Sequence, residues 1–430
     1  MKFYVNPSIL SGKATIPGNK SGTARGIVFG ALAKGTSILH NPLTNLDSFS
    51  IVKMMRAIGA TIDTSDSSVW KITGVDGRPK QPACVLDAEN SGTGTYFTLA
   101  VASLIDGYSV LTGDYQICYR SAEPMLKAIN TMGGIAFSTR GNGCCPIVVK
   151  GPIKGGEFSM PGVNSQWMTP FLCAGALTEK GVVIHESNLL EHPYVDMTIG
   201  MLKIAGIEVE NLNYDEFRVK GGQKFHSFEY TLPGDWGSAG YPMVATAITP
   251  GSKAVFLGLN INDFAGEKSY VQILRNMGAK VSFEGDGTQG IAVEGCAHLR
   301  GIEIDCSGTP DAVPALAVLG TQASGKTVLH NIGACHLKET DRAQSIKQEL
   351  EKMGGRLEEP DKDTLVIYKS DLHAAHIDGH NDHRIVMAMT VAGLATGGGE
   401  SVIDNAEYAA VSFPNFYELM SSLNADIVRK

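Results

Sequence analysis

Met277-Gly278-Ala279-Lys280-Val281 ends a helical run on a glycine and opens a β-rich one immediately after it. The same corner returns along the chain as Ile58-Gly59-Ala60, Met132-Gly133-Gly134, Ala205-Gly206-Ile207 and Met353-Gly354-Gly355. Leu423-Asn424-Ala425 is a degenerate sixth. The spacing of roughly 70 to 76 residues is too long for a solenoid repeat and suits a βαβαββ block. Helix-to-strand pieces repeat as well: Ala31-Leu32-Ala33-Lys34-Gly35-Thr36 resembles the stretch from Val318 to Thr327. Strands alternating with helices predict an α/β fold, and helices that are almost wholly apolar predict burial. Six blocks divide as three plus three. Leu232-Pro233-Gly234-Asp235 is the natural boundary, because Pro-Gly breaks both regular structures. Two similar lobes follow, with a cleft between them as the expected ligand site.

Composition narrows the function. The 430 residues carry 36 Lys+Arg against 44 Asp+Glu, a net charge of −8, which gives no case for nucleic-acid or membrane partners. Apolar runs are broken by charges or glycines too often for a membrane span. The first residues, Met1 to Pro7, lack the apolar core of a signal peptide. Eight cysteines without metal-type CxxC pairs fit reduced thiols in a cytoplasm. No metal and no cofactor are expected, and the partners expected are small molecules acting on a monomer.

Three loops interrupt the apolar pattern with cations at the start of a helix. They are Asn19-Lys20-Ser21-Gly22-Thr23-Ala24-Arg25, Leu337-Lys338-Glu339-Thr340-Asp341-Arg342 and Gly379-His380-Asn381-Asp382-His383-Arg384. Glu339 and Asp341 suit the positive end of a helix dipole; Lys338 and Arg342 do not unless an anion offsets them. A solvated first turn with internal ion pairs explains any one of these loops alone. Three loops, read as equivalent positions of the repeat, instead predict a receptor for phosphate or carboxylate groups. The glycines of the first loop match neither the P-loop nor the dinucleotide pattern.

These loops, with Asn90-Ser91-Gly92-Thr93 and Ser165-Gln166, resemble in type and order the signatures of the EPSP synthase (3-phosphoshikimate 1-carboxyvinyltransferase) family, over nearly the whole chain. The resemblance implies two inside-out α/β domains of three βαβαββ units each. One is 15–232; the other is 1–14 plus 233–430, with the N-terminal strand joining the second domain. It implies transfer of the enolpyruvyl group of phosphoenolpyruvate to the 5-hydroxyl of shikimate 3-phosphate, with release of phosphate. By the same resemblance Arg342 and Arg384 hold the donor carboxylate, and Lys20, Arg120 and Gln166 its phosphate. Glu339 exchanges the proton at C3, and Asp311 activates the acceptor hydroxyl. Ser21, Arg25, Ser165, Tyr194 and Lys338 surround the acceptor, with Asn90, Gly92 and Asn164 in the binding loops. Lys20 and His383 join the catalytic group.

Read alone, several of these residues have plainer roles. Asp311 after Pro310 suits a helix N-cap, Tyr194 suits a core, and His383 fits capping or packing as well as proton transfer. Cys118 lies in the loop where related UDP-N-acetylglucosamine enolpyruvyl transferases carry a reactive cysteine, but Tyr115 aligns with that position. The chain also departs from the family. Val411 stands where a lysine is usual, Tyr96 where arginine is frequent, Ala334 where asparagine is expected, and Glu191 where a serine precedes Lys-Pro-Tyr. A carboxylate facing an acceptor phosphate at about 4 Å is repelled by roughly 1 kcal/mol in water and more in a shielded cleft. Two other readings therefore stand beside the first: an enolpyruvyl transferase with another acceptor alcohol, and a non-catalytic anion-binding homologue.

Overall fold

The computed structural model describes residues 1–285 and 290–430. The chain forms two compact units, Asn19–Leu232 and Met1–Gly18 with Pro233–Lys430. Each contains three four-stranded sheets among the described residues, and all six sheets share one plan. An edge strand runs parallel to a central strand, and two antiparallel strands complete the sheet. In Asn19–Leu232, for example, Gly156–Pro161 lies parallel to Val182–Ser187, which pairs antiparallel with Glu216–Val219, itself paired with Glu210–Leu212.

Each unit completes its sheets with sequence-distant strands. Glu229–Thr231 becomes the edge strand beside Thr36–His40. In the other unit Phe3–Asn6 lies between Ser401–Ile403 and Asp426–Arg429, and Ser11–Thr15 runs parallel to Lys253–Leu257.

The recurring corner has a backbone cause. Gly59, Gly133, Gly206, Gly278 and Gly354 all have positive φ, between 84° and 109°, and Asn424 holds the sixth corner at 66°. A left-handed residue ends a helix by turning the chain back toward a strand. Glycine does this without a Cβ clash, and asparagine is among the side chains best tolerated there.

The helices divide into inner and outer sets. Lys20–Leu32, Gly92–Ala102 and Ser165–Leu177 are inner helices of one unit, and Trp236–Ile248, Val313–Thr321 and His383–Leu394 of the other. Every residue of the last three is buried. Inner helices touch one another within each unit and the sheets flank them, so the helices make the core. Burying a large aliphatic or aromatic side chain stabilises the fold by about 1.5–3 kcal/mol, which explains why these helices carry almost no charge. The outer helices, such as Leu46–Ala57, His192–Ile204 and Arg342–Lys352, keep a polar face.

This division corrects one sequence reading. The Lys20 and Asn381 loops do enter inner helices, but Lys338–Arg342 enters the outer helix Arg342–Lys352. The three cationic loops are therefore not at equivalent positions of the repeat. The amphipathic pattern of that helix, with Ala343, Ile346 and Leu350 buried among exposed charges, suits the outer place.

Candidate active site

Inner-helix N-termini place many of the candidate residues. Asn19, Ser91, Asn164, Asp235 and Asp382 each cap one, their side chains accepting a backbone N–H two or three residues on. Side chains just beyond these caps therefore start from rigid, buried elements.

In Pro233–Lys430, Arg342 is the centre of a charge cluster. Its guanidinium is 1 % exposed. Nε donates to Asp382 Oδ2 at 2.8 Å, Nη1 to Asp311 Oδ1 at 2.8 Å, and Nη2 to Glu339 Oε2. Burial by itself lowers the pKa of a guanidinium, but Asp382, Glu339 and Asp311 together outweigh it and hold Arg342 well above its ordinary value. Arg384 adds a second fork: Nη2 donates to Asp311 Oδ2 at 3.1 Å and Nη1 to the Gly237 carbonyl at 2.9 Å. Lys338 Nζ lies 3.9 Å from Asp311. The anion expected to offset these cations is therefore supplied in part by the chain's own carboxylates.

This geometry replaces the plainer reading of Asp311. Asp311 lies within the short 3₁₀ turn Pro310–Ala312, makes no cap, and bridges two arginines. Asp341 is the cap instead, accepting from Gln344 N at 3.1 Å and pairing with His336 at 2.8 Å. His383 opens its helix, almost fully buried, with Nδ1 3.9 Å from Asp382. Val411 and Ala334, the departures from the family pattern in this unit, are both buried.

In Asn19–Leu232, Lys20 Nζ pairs with Asp47 at 3.4 Å. Arg25 is fully buried: Nε donates to Thr198 Oγ1 at 2.8 Å, Nη1 to the Ser21 carbonyl at 3.0 Å and Nη2 to the Tyr194 carbonyl at 3.3 Å. Burial pushes the Arg25 pKa down to about 10, with Tyr194 and Glu191 acting in the opposite sense. Tyr194 is half-buried, not a core residue. Ser165 joins this group through Glu191, whose Oε2 accepts from Ser165 N at 3.0 Å and Oγ at 2.7 Å. Glu191 thus faces a helix N-terminus, 2 % exposed, with φ 62°.

A second group in the same unit surrounds Arg120. Its guanidinium lies against Gly92, where an added Cβ would come within 2.5 Å of Nη1. The Tyr96 ring, standing where arginine was expected, lies 6.0 Å from Arg120 Cζ. Gln166 Oε1 accepts from Thr93 Oγ1 at 3.0 Å, and Asn90 donates to Asp114 at 2.6 Å, anchoring the loop that carries Arg120.

Sequence reading missed Asp382 as an arginine partner, Asp47 as the partner of Lys20, and Thr340, which donates to Asp382 at 3.2 Å. Asp382 and Thr340 lie inside quoted motifs, so the signal was present. Asp47 lies in an ordinary helix start and carried none.

A family profile for EPSP synthase (3-phosphoshikimate 1-carboxyvinyltransferase) matches residues 5–420. The chain belongs to the EPSP synthase family. It is 41 % identical to a 3-phosphoshikimate 1-carboxyvinyltransferase of Ruminiclostridium cellulolyticum and 42 % identical to one of Acetivibrio thermocellus, each covering 99 % of both chains. EPSP synthase from Acinetobacter baumannii superposes with a TM-score of 0.84 at 30 % identity, covering 99 % of each chain. The enolpyruvyl transferase NikO from Streptomyces tendae shares the fold, with a TM-score of 0.79 at 18 % identity over 100 % of this chain and 98 % of that one. Among the described residues of this EPSP synthase family member, no helix is long and apolar enough to cross a membrane.

Proposed function

We propose that the protein transfers the enolpyruvyl group of phosphoenolpyruvate to the 5-hydroxyl of shikimate 3-phosphate and releases phosphate. The observation that carries this reading is Arg342, a buried guanidinium bonded at once to Asp311 and Glu339. The reaction needs a cationic fork for a planar carboxylate, an acid for C3 that returns as a base, and a base for the acceptor hydroxyl. Those three functions meet at one guanidinium. Donor carboxylate entering the Arg342–Arg384 forks takes over hydrogen bonds now made to Asp311 and Glu339. Both carboxyl groups are then released beside the reacting atoms. Once parted from Arg342, Glu339 takes up a proton from solvent, delivers it to C3 and recovers it when the tetrahedral intermediate collapses, while Asp311 takes the acceptor's hydroxyl proton. His383, at the N-terminus of the same inner helix as Arg384, is the further candidate for proton transfer. Lys20, Arg120 and Gln166 stabilise the departing phosphate, and Ser21, Arg25, Asn90, Gly92, Asn164, Ser165, Tyr194 and Lys338 complete the binding surfaces. The domains that the family resemblance implies, 15–232 and 1–14 with 233–430, act as the two enolpyruvyl-transferase domains, in a cytoplasmic setting that suits eight cysteines outside disulfides.

The test is phosphate release from phosphoenolpyruvate. Release that requires shikimate 3-phosphate is expected, and silence across that acceptor and a panel of related alcohols would overturn the reading. A second reading, transfer to a different alcohol, is favoured by Glu191 on Ser165; it predicts release with another acceptor and none with shikimate 3-phosphate.

A further inference from the structure

The carboxylate of Glu191 occupies a seat built for an anion. One oxygen accepts both donors of Ser165, the N–H at 3.0 Å and the hydroxyl at 2.7 Å. Ser165 is the first residue of the Ser165–Leu177 helix, so both donors stand at the positive end of its dipole. Ser165, Glu191 and Arg25 are 0 %, 2 % and 1 % exposed, so little solvent screens their interactions. Arg25 lies close enough to Glu191 to feel its charge and is tied to the Tyr194 carbonyl three residues further on. The backbone at Glu191 is left-handed, φ 62° and ψ 34°, a conformation that costs any residue with a Cβ some stability. The fold thus accepts strain at the position that delivers this carboxylate to Ser165.

We propose that Glu191 is the residue that sets acceptor specificity: a resident anion that the phosphate of an incoming acceptor must displace from Ser165. This inference rests on the reading of this unit as the acceptor side of an enolpyruvyl transferase. Binding then becomes an exchange. The acceptor's phosphate gains the Ser165 donors only as Glu191 loses them, and if Glu191 stays, two anions compete for one helix terminus. An acceptor whose group at this place is neutral is not penalised, so Glu191 shifts preference away from phosphate monoesters. A serine, glutamine or asparagine here removes the competing charge.

The experiment compares the full-length protein with Glu191→Ser and Glu191→Gln, using calorimetry with shikimate 3-phosphate and with inorganic phosphate, and steady-state KM for both substrates. Losing one charge-assisted competitor is expected to tighten shikimate 3-phosphate binding about tenfold or more in Glu191→Ser, with Glu191→Gln intermediate. The KM for phosphoenolpyruvate stays within about twofold, whereas a purely structural role moves both KM values together. Folded variants with unchanged or weaker phosphate-ester binding overturn the proposal. If no protein releases phosphate with shikimate 3-phosphate, the proposed reaction fails separately. Inorganic phosphate then still decides: tighter binding in the variants upholds the role of Glu191, and unchanged binding refutes it. Should Glu191→Ser not fold, Glu191→Asn, which tolerates positive φ, takes its place in the same comparison.

Discussion

Replacing Arg342 with methionine removes a cation that Asp311, Glu339 and Asp382 share, and leaves an uncharged, unbranched side chain. The three carboxylates do not suffer equally. Asp311 keeps Arg384 at 3.1 Å, and Asp382 keeps the Arg384 N–H at 2.7 Å and the Thr340 hydroxyl at 3.2 Å. Glu339 loses its guanidinium partner. Breaking a buried ion pair from one side costs about 3–5 kcal/mol, and the surviving partners put Arg342→Met at the lower end, about 3 kcal/mol. For a unit of this size each kcal/mol moves Tm by about 2–4 °C, so its transition should fall by about 6–12 °C at pH 7. Calorimetry at pH 7 and pH 4 provides the check, because protonating the carboxylates at low pH removes their mutual repulsion and the difference should shrink. A deficit below about 1 kcal/mol at pH 7, or one that is the same at both pH values, would refute the view that Arg342 neutralises three carboxylates. Arg342→Lys retains the charge without the fork and should lie between wild type and Arg342→Met.

Three further outcomes are expected. Glu339→Gln should lower kcat by about 10²–10⁴ while phosphoenolpyruvate affinity changes only a few-fold, as measured by phosphate release and calorimetry; a kcat within tenfold of wild type removes Glu339 from proton transfer. Gly92→Ala forces a Cβ to 2.5 Å from Arg120 Nη1, so the guanidinium must move. Its KM for phosphoenolpyruvate should rise about tenfold with Tm within about 2 °C, and an unchanged KM would show Arg120 to be a bystander. Glu186 is buried with neither carboxylate oxygen hydrogen-bonded among the described residues, and burial raises its pKa from 4.5 to about 8. The folded state then binds the extra proton between those values, so stability falls as pH rises through that window and levels off above it. Glu186→Gln should remove a slope of up to about 1.4 kcal/mol per pH unit in denaturant titrations; an identical pH profile in the variant counts against the shift.

The repeat was legible because its punctuation is local. A helix that must turn back into a strand needs a left-handed residue, and Gly59, Gly133, Gly206, Gly278, Gly354 and Asn424 mark each such place in the sequence itself. The inner helices were legible as buried because a helix surrounded by other elements has no use for charge. What misled was the position of Lys338–Arg342, whose charges look alike in sequence to those of the Lys20 and Asn381 loops. Only the packing shows that Arg342 opens an outer helix and is nonetheless buried itself.

The candidate site divides along the same line. Motif residues, their types and their order were determined by the sequence alone, because helix caps and cationic loops are contiguous. Their electrostatic partners were decided by the tertiary structure. Asp311 and Asp382 reach Arg342 from separate segments and join Glu339, three residues before it in the same loop, and Asp311 ceases to be a cap once two arginines claim it. Glu191 is the sharpest case. In sequence it is a charge in an unexpected place; in the fold, a left-handed backbone turns it onto Ser165 at a helix terminus. Side-chain identity is a property of the chain, but which charges neutralise one another depends on distances that only the packed core fixes.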